Sequence, residues 1–315
     1  MGDFRSGFVS IIGRPNAGKS TLLNALVGEK VAIVTHKPQT TRNRILGVVN
    51  VKAKKDTPAG QVVLIDTPGV HKPGSQLSKR MMQEVYDALE GRDLLLLIVD
   101  VTQTFGSGDE FVLELVKKSE GKAFLLLNKV DLLRKDDLLP LIEQWRQRHD
   151  FAAIIPISAQ KKDGLNVLLE KVVRALPHGP RYFEKDQYTD QPERFIAAEL
   201  IREKVLMNTG QEVPYAAAVK IDTYEERPKL TRIAATIYCE REGQKAILIG
   251  RHGEMLKKIG SAARFELERL LGTKVFLELF VKIVPAWRSS RRFVDDLDWR
   301  KQLEDLSALQ SDENS

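Results

Sequence analysis

One cysteine in 315 residues, Cys239, excludes an internal disulfide and suits a reducing cytoplasm, where it reads most simply as a strand residue. No apolar run approaches the roughly eighteen residues of a membrane span, and Leu94–Val99 is short enough to be a buried strand. No signal-peptide pattern stands at the N-terminus, where strand residues begin by Phe8. Met1-Gly2 with Ser6 fits the loose myristoylation pattern, but Gly2 lies so close to the first strand that the match is set aside. The expected location is cytoplasmic. Neither sign of charge dominates: 49 Lys and Arg face 43 Asp and Glu, and the net +6 favours a polyanionic partner without naming one. Against these absences, 43% apolar residues is enough for packed cores, and the length implies two domains.

The most informative string present is Gly13-Arg14-Pro15-Asn16-Ala17-Gly18-Lys19-Ser20, which fits G-x-x-x-x-G-K-[ST]. It lies between the apolar β-branched run Phe8–Ile12 and the helical pattern opened by Thr21–Leu26, where a phosphate-binding loop belongs. At ordinary residue frequencies such a string arises by chance in about one chain in a hundred of this length. Its glycines let backbone N–H groups close around a triphosphate, Lys19 reaches the outer phosphates, and the Ser20 hydroxyl is a candidate Mg²⁺ ligand. Gly13, Asn16, Ala17, Gly18 and Thr21 join them as candidate nucleotide-binding residues.

Asn128-Lys129-Val130-Asp131 follows the apolar run Ala123–Leu127. A carboxylate at Asp131 can accept both hydrogen bonds offered by guanine's N1–H and exocyclic amine; adenine presents the opposite pattern and leaves the site unpaired. Asn128 and Lys129 brace the loop, the lysine stem covering the base face. Between these motifs, Val62–Ile65 runs into Asp66-Thr67-Pro68-Gly69, where Asp66 suits water-mediated Mg²⁺ coordination and the Gly69 N–H can meet the γ-phosphate. Downstream, Ile154–Ile157 runs into Ser158-Ala159-Gln160, whose backbone can contact the guanine carbonyl. Each string is common alone. Four in one order, each at the carboxyl end of a candidate strand, point to a guanine-nucleotide site on an α/β domain with a mostly parallel sheet flanked by helices.

These motifs resemble a translation-factor-type GTPase, which implies Mg²⁺-dependent hydrolysis of GTP to GDP and phosphate. Lys37-Pro38-Gln39-Thr40-Thr41-Arg42 resembles the first switch loop of the Era and MnmE relatives, and that alignment favours Thr41 over Thr40 as the residue capping Mg²⁺ and the γ-phosphate. Two exposed loop threonines remain the alternative. Ras-like enzymes place a Gln after the Asp-x-x-Gly to orient water; Val70 stands here and cannot hydrogen-bond to it. In some relatives with a hydrophobic residue at this point, K⁺ held partly by a P-loop Asn supplies charge, and Asn16 stands at the matching place. Two readings of Asn16 stay open: a K⁺ site giving slow hydrolysis stimulated by K⁺ over Na⁺, or a residue that only stiffens the loop. His71 is read as a solvated bystander. The candidate catalytic group is Lys19, Thr41, Asn16 and Gly69.

The first domain is expected over residues 1–180, closing with the helix Leu165–Leu176 and its stop at Pro177-His178-Gly179-Pro180. Residues 181–192 read as an ordered linker, and a second domain is expected over 193–285. It opens with a helix over Glu193–Thr209, then strands over Ala216–Ile221 and Thr231–Cys239. Ile249-Gly250-Arg251-His252-Gly253 leads into the helix Glu254–Ile259, and a strand follows at Val275–Lys282. Two glycines in such a loop let a sugar-phosphate backbone approach, and Lys245, Arg251, Lys257, Lys258 and Arg264 face Glu254 alone nearby. The α-β-β-α-α-β order resembles a smaller α/β domain, the type II KH fold, with Ile249, Gly250, Arg251, His252, Gly253, Lys257 and Lys258 as candidate RNA-binding residues.

One GTPase domain followed by one KH domain resembles the Era family over roughly residues 5–290. That resemblance implies a ribosome assembly factor that uses GTP and GDP, Mg²⁺ and, through Asn16, K⁺. It implies a KH module holding the 3′ end of the small-subunit ribosomal RNA on a 30S-type subunit, with GTP favouring the RNA-bound state. The chain is expected to be a monomer, with any membrane contact peripheral at the inner face of the cell membrane and no amphipathic basic helix arguing for it. The rival reading is a regulatory GTPase with a protein or membrane target and a KH-like domain that binds no RNA. A tRNA-modifying or tandem-G-domain relative is disfavoured by the single P-loop and the lack of a C-terminal cysteine. Residues 286–315 form a basic then acidic tail: Pro285–Arg292 still resembles the usual basic close, with Arg288, Arg291 and Arg292 open to an RNA- or partner-contacting role, and the chain departs from the resemblance in the longer end that follows. Residues 293 onward read as a frayed helix and disordered end.

Overall fold

The computed structural model describes residues 4–55, 57–70, 74–210 and 212–301, so Gly2, His71 and the acidic end Ser307–Ser315 lie outside the described residues. The chain forms two compact units: residues up to 72 together with 81–190, and residues 73–80 together with 191 onward.

The first unit runs β1 (Arg5–Ile12), α1 (Lys19–Val27), β2 (Ile45–Val51), β3 (Gly60–Asp66), α2 (Gln76–Leu89, in this unit from Met81), β4 (Leu94–Asp100), α3 (Ser107–Lys118), β5 (Ala123–Asn128), α4 (Lys135–Arg146), β6 (Ala153–Ile157) and α5 (Leu165–Ala175). Its six-stranded sheet has the order β2-β3-β1-β4-β5-β6. Only β2 runs antiparallel, pairing with β3. A sheet covered on both faces needs strands apolar at every position, and Leu94–Val99 is buried throughout. Alternate residues serve opposite faces. Leu94, Leu96 and Ile98 pack with Leu22, Leu23, Leu168 and Val172 of α1 and α5. Leu95, Leu97 and Val99 pack with Val85 of α2, Val112 and Val116 of α3, and Trp145 of α4. The motif loops all leave the carboxyl ends of β1, β3, β5 and β6, where β1, lying between β3 and β4, makes the switch in strand order.

The linker is ordered as a strap. Tyr188 O accepts from Val48 N at 2.9 Å and Thr189 Oγ1 donates to Leu46 O at 2.7 Å, both on β2. Gln61, fully buried on β3, accepts from Tyr182 N and Phe183 N at 2.8 and 2.9 Å and donates to Phe183 O at 2.9 Å.

The second unit contains α6 (Glu193–Asn208), α7 (Val213–Ala216), β7 (Ala218–Arg227), β8 (Leu230–Cys239), α8 (Glu242–Ile249), α9 (Glu254–Leu271), β9 (Lys274–Ile283) and α10 (Arg291–Asp296). Its sheet order is β7-β8-β9, with β7 antiparallel and β9 parallel to β8. The strand expected from Ala216 starts two residues later, because Pro214 seeds a helical turn first. Cys239 is a buried residue at the end of β8, and burial pushes its thiol pKa up.

The reading of residues from 293 as frayed and disordered is corrected for 293–301. Trp287 is fully buried and donates from Nε1 to Ala216 O at 2.7 Å. Ser290 caps α10 by accepting from Phe293 N. Phe293 packs 5.0 Å from Tyr238, and Trp299 lies 5.9 Å from Phe195. Three aromatic anchors bury enough surface to order a segment whose charged neighbours disguise it. Arg288 is engaged as a fork on Glu240, at 2.6 and 3.2 Å, and Arg291 lies 3.8 Å from Asp295; Arg292 is exposed.

Candidate nucleotide site and nucleic-acid groove

The loop between β1 and α1 has the backbone that its glycines require. Gly18 sits at φ +103°, and a Cβ there would lie 2.2 Å from Asn128 Nδ2. That close approach links two of the motifs: Asn128 Nδ2 donates to Ala17 O at 2.7 Å, while its Oδ1 accepts from Ala159 N at 3.0 Å. Asn128 therefore ties the P-loop, the Asn128–Asp131 loop and the Ser158–Gln160 loop into one frame. Lys129 stands in the left-handed region at φ +69°, with its ammonium 2.5 Å from Asp100 Oδ2.

These loops enclose a cavity of about 410 Å³. Of the candidate residues, Asn16, Gly18, Lys19, Ser20, Thr21, Thr41, Gly69, Asn128, Lys129, Asp131, Ser158 and Ala159 line it. Gly13, Ala17 and Asp66 do not. Gly13 O accepts from Lys19 Nζ at 3.2 Å and from Val70 N at 3.2 Å, and Ala17 O takes the Asn128 bond. Pro15, Leu132 and the Ile33–Lys37 stretch also line the cavity but were not among the candidates. Leu132 follows Asp131 directly and is 68% exposed, an apolar residue that adjacency to the candidate base-binding carboxylate marks out in the sequence. The Ile33–His36 stretch carries no such motif, and Lys37 only opens the switch-loop string.

Ser20 Oγ donates to Asp66 Oδ2 at 2.6 Å and lies 2.8 Å from Thr41 Oγ1. Thr40 turns elsewhere, donating to Lys37 O at 2.6 Å and lying 2.7 Å from Thr35 Oγ1. Asp66 Oδ1 is buried with no hydrogen-bond partner among the described residues. An all-oxygen set of Ser20, Thr41 and Asp66 with one acceptor unused fits a hard, water-retaining cation such as Mg²⁺. Burial pushes the Asp66 carboxyl from 3.8 up to about 6, opposed by Lys19 and by bonds from Ser20, Thr67 and Thr41. Burial pulls Lys19 from 10.5 down to about 8, opposed by Asp66. A phosphate beside Lys19 and a cation beside Asp66 each favour the charged form that burial alone penalises. Asn16, at φ +63°, donates from Nδ2 to His36 O at 2.9 Å and so joins the P-loop to the switch loop.

In the second unit, α8 ends at Ile249 and Gly250 turns the chain at φ +73°; a Cβ there would meet Met255 N and Cβ at 2.8 and 2.7 Å. His252 is held at φ +52°, a strained position for a residue with a Cβ, and both Arg251 and His252 are exposed. An open groove of about 470 Å³ runs from Gly253 between α9 and β9. Leu256, Leu277 and Leu279 make it apolar, Gly260 and Ser261 keep it wide, and Lys257 and Arg264 stand on it. Gly253 and Lys257 are the candidate RNA-binding residues on this groove; Ile249 and Lys258 are not in its lining. Its β9 wall was not among the candidates, since nothing local in a strand pattern tells which helix it will face. Among the described residues no helix is long and apolar enough to cross a membrane.

A family model described as 50S ribosome-binding GTPase matches residues 8–129, and one described as KH domain matches 212–288. The chain is 49% identical over 298 residues to GTPase Era of Ruminiclostridium cellulolyticum, covering 94% of this chain and 98% of the relative. It is 51% identical to GTPase Era of Geobacter metallireducens over the same shares. A crystal structure of Era in complex with MgGDPNP and nucleotides 1506–1542 of 16S ribosomal RNA superposes with a TM-score of 0.88 at 39% identity, covering 92% of this chain and 97% of that one. A single-substitution variant of Aquifex aeolicus Era bound to GDP·AlF4⁻ gives 0.86 at 38% identity, with the same coverage.

Proposed function

The chain belongs to the Era family of GTPases, and on that footing we propose a small-subunit ribosome assembly factor that holds the 3′ end of the ribosomal RNA in its second unit while its first unit binds and hydrolyses GTP. The observation that carries this reading is the pairing on one chain of the Lys19–Ser20–Asp66–Asn128 site with the Gly250–Gly253 loop and its apolar groove. The Era relative crystallised with 16S ribosomal RNA nucleotides 1506–1542 supports the choice of RNA.

In this reading the P-loop amides and Lys19 hold the phosphates, and Asp131 selects guanine, since adenine would leave the carboxylate unpaired. Ser158 and Ala159 contact the guanine carbonyl, with Ala159 N already oriented by Asn128. Ser20, Thr41 and Asp66 would hold Mg²⁺, which when bound neutralises charge on the β- and γ-phosphates. Thr41 reaches that cluster from the switch loop, so triphosphate binding orders the loop through it. Val70 is buried and offers attacking water no side-chain hydrogen bond, which makes intrinsic hydrolysis slow. Asn16, whose Nδ2 donates to the His36 carbonyl, would offer its Oδ1 to K⁺ near the phosphates in this reading. A peripheral membrane role has no observation behind it and forms no part of the reading.

RNA enters through the strained glycine loop, where Arg251 and His252 flank the backbone and Lys257 stands at the groove mouth. The test compares the intact chain with Arg251→Asp/His252→Asp, in the GTP-analogue form. The probe is an oligoribonucleotide copying the 3′ end of small-subunit ribosomal RNA, with a scrambled control. Selective binding is expected in the intact chain and loss of about tenfold or more in the variant, with GTP hydrolysis retained. Equal binding by both, or none by either, removes the RNA assignment and leaves a GTPase of another target.

A further inference from the structure

Phe265 is 69% exposed, in the middle of an ordered helix. Helix α9 turns Ile259, Ala263 and Leu267 into the unit's core. At about 100° per residue Lys258, Ala262, Phe265 and Arg269, spaced four, three and four apart, form one stripe on the side of the helix away from that core. Ala262 is too small to cover the ring, and no aromatic or cationic partner holds it among the described residues. Between Lys258 and Arg269 the stripe contains no acid. Of the three carboxylates on α9, Glu266 pairs with Lys204 at 2.5 Å, and Glu268 accepts from Val275 N at 3.2 Å and lies 3.8 Å from Lys274. Glu254, four residues before Lys258, continues the stripe into the first turn, about 16 Å along the axis from Phe265. The stripe is also continuous with the groove: Lys257 and Arg264, on the groove, are the sequence neighbours of Lys258 and Phe265.

We propose that this face of α9 is a second RNA contact, in which an unpaired base of the strand leaving the groove stacks on Phe265 while Lys258 and Arg269 meet the flanking phosphates. A planar apolar ring between cations, adjoining a phosphate-binding loop, matches how single strands are held without sequence readout. The inference rests on the RNA reading of the groove and adds footprint to it rather than base specificity.

The test uses the full chain and two oligoribonucleotides from the same 3′ end: one of about six nucleotides, enough for a four-nucleotide KH clamp, and one extended to about sixteen. Phe265→Ala is expected to weaken the longer RNA by on the order of 5- to 100-fold, the range of one lost base stack, and to leave the shorter within twofold. Phe265→Trp restores the longer RNA's affinity. Phe265 is exposed, so circular dichroism should show both variants folded. Unchanged affinity for the longer RNA in Phe265→Ala overturns the second contact, leaves the groove reading standing, and makes the stripe a surface for a protein instead. If the intact chain binds neither oligonucleotide, or Arg251→Asp/His252→Asp binds the shorter one equally well, the RNA reading itself fails and the stripe proposal with it.

Discussion

Asn16 shows how much one side chain in a phosphate loop can be asked to decide. Its backbone is in the left-handed region, and its amide spans from the P-loop to the carbonyl of His36. If Asn16 only stiffened the loop, that hydrogen bond would be its whole contribution. If it helps hold K⁺, the same oxygen-rich corner gains a charge next to the phosphates, where Val70 contributes none. The two roles separate kinetically. GTP turnover is expected to be faster in K⁺ than in Na⁺ by on the order of tenfold, well short of what an arginine finger supplies. Asn16→Ala should bring that ratio to about one while GDP affinity changes little. Turnover measured in matched chloride salts decides it: a ratio near one in the unmodified chain, or an unchanged ratio in Asn16→Ala, leaves the asparagine as a structural brace.

Among the elements, α2 links the two loops that must respond to the γ-phosphate. It follows the Asp66–Gly69 loop, and its Glu84, 6% exposed, accepts from Arg44 N at 3.3 Å and lies 3.7 Å from Arg44 Nε. Arg44 stands three residues after Thr41 and immediately before β2. Glu84→Ala is expected to weaken a GTP analogue by about tenfold, equivalent to about 1.4 kcal/mol, because Arg44 is partly exposed and a half-buried pair contributes less than a buried one. GDP, which makes no demand on Thr41, should lose less. Equal losses for the two nucleotides by fluorescence titration would show Glu84 to be merely structural. The linkage could not be read from the sequence, since Glu84 looks like any polar residue on an amphipathic helix. The central strands were legible for the opposite reason: parallel strands buried on both faces are continuous apolar runs, and β1, β3, β4, β5 and β6 fall where such runs lie. Edge strand β2 was not, because Gly47 and Asn50 break its run. The nucleotide motifs are local strings, each set by one turn of backbone. The β9 wall of the groove, the Ser20–Thr41 contact and the buried tail tryptophans depend on pairings between distant residues, which no local pattern records.

At the scale of the molecule, the placing of Arg181–Asp190 determines whether the first unit can stand alone. The segment clusters with the first unit and is bonded to β2 and to the buried amide of Gln61. A chain ending at 190 keeps these bonds. A chain ending at 180 exposes the edge of β2 and strips three hydrogen bonds from Gln61, together with the packing of Tyr182 5.0 Å from Phe8. Gln61 keeps only its bond to Asn50 Oδ1 at 3.0 Å; losing the partners of its carbonyl oxygen costs about 1–3 kcal/mol, and each kcal/mol shifts the melting temperature of a unit this size by about 2–4 °C. The shorter chain is therefore expected to melt about 2–12 °C below the longer one and to associate through its open edge. Both should bind GDP, since no cavity-lining residue lies beyond 160. Thermal melts of the two fragments at matched nucleotide concentration test this. Coincident melts would mean that the strap only lies on the sheet, whereas a separation would make residues 181–190 part of the GTPase unit and put the boundary between the two units after Asp190.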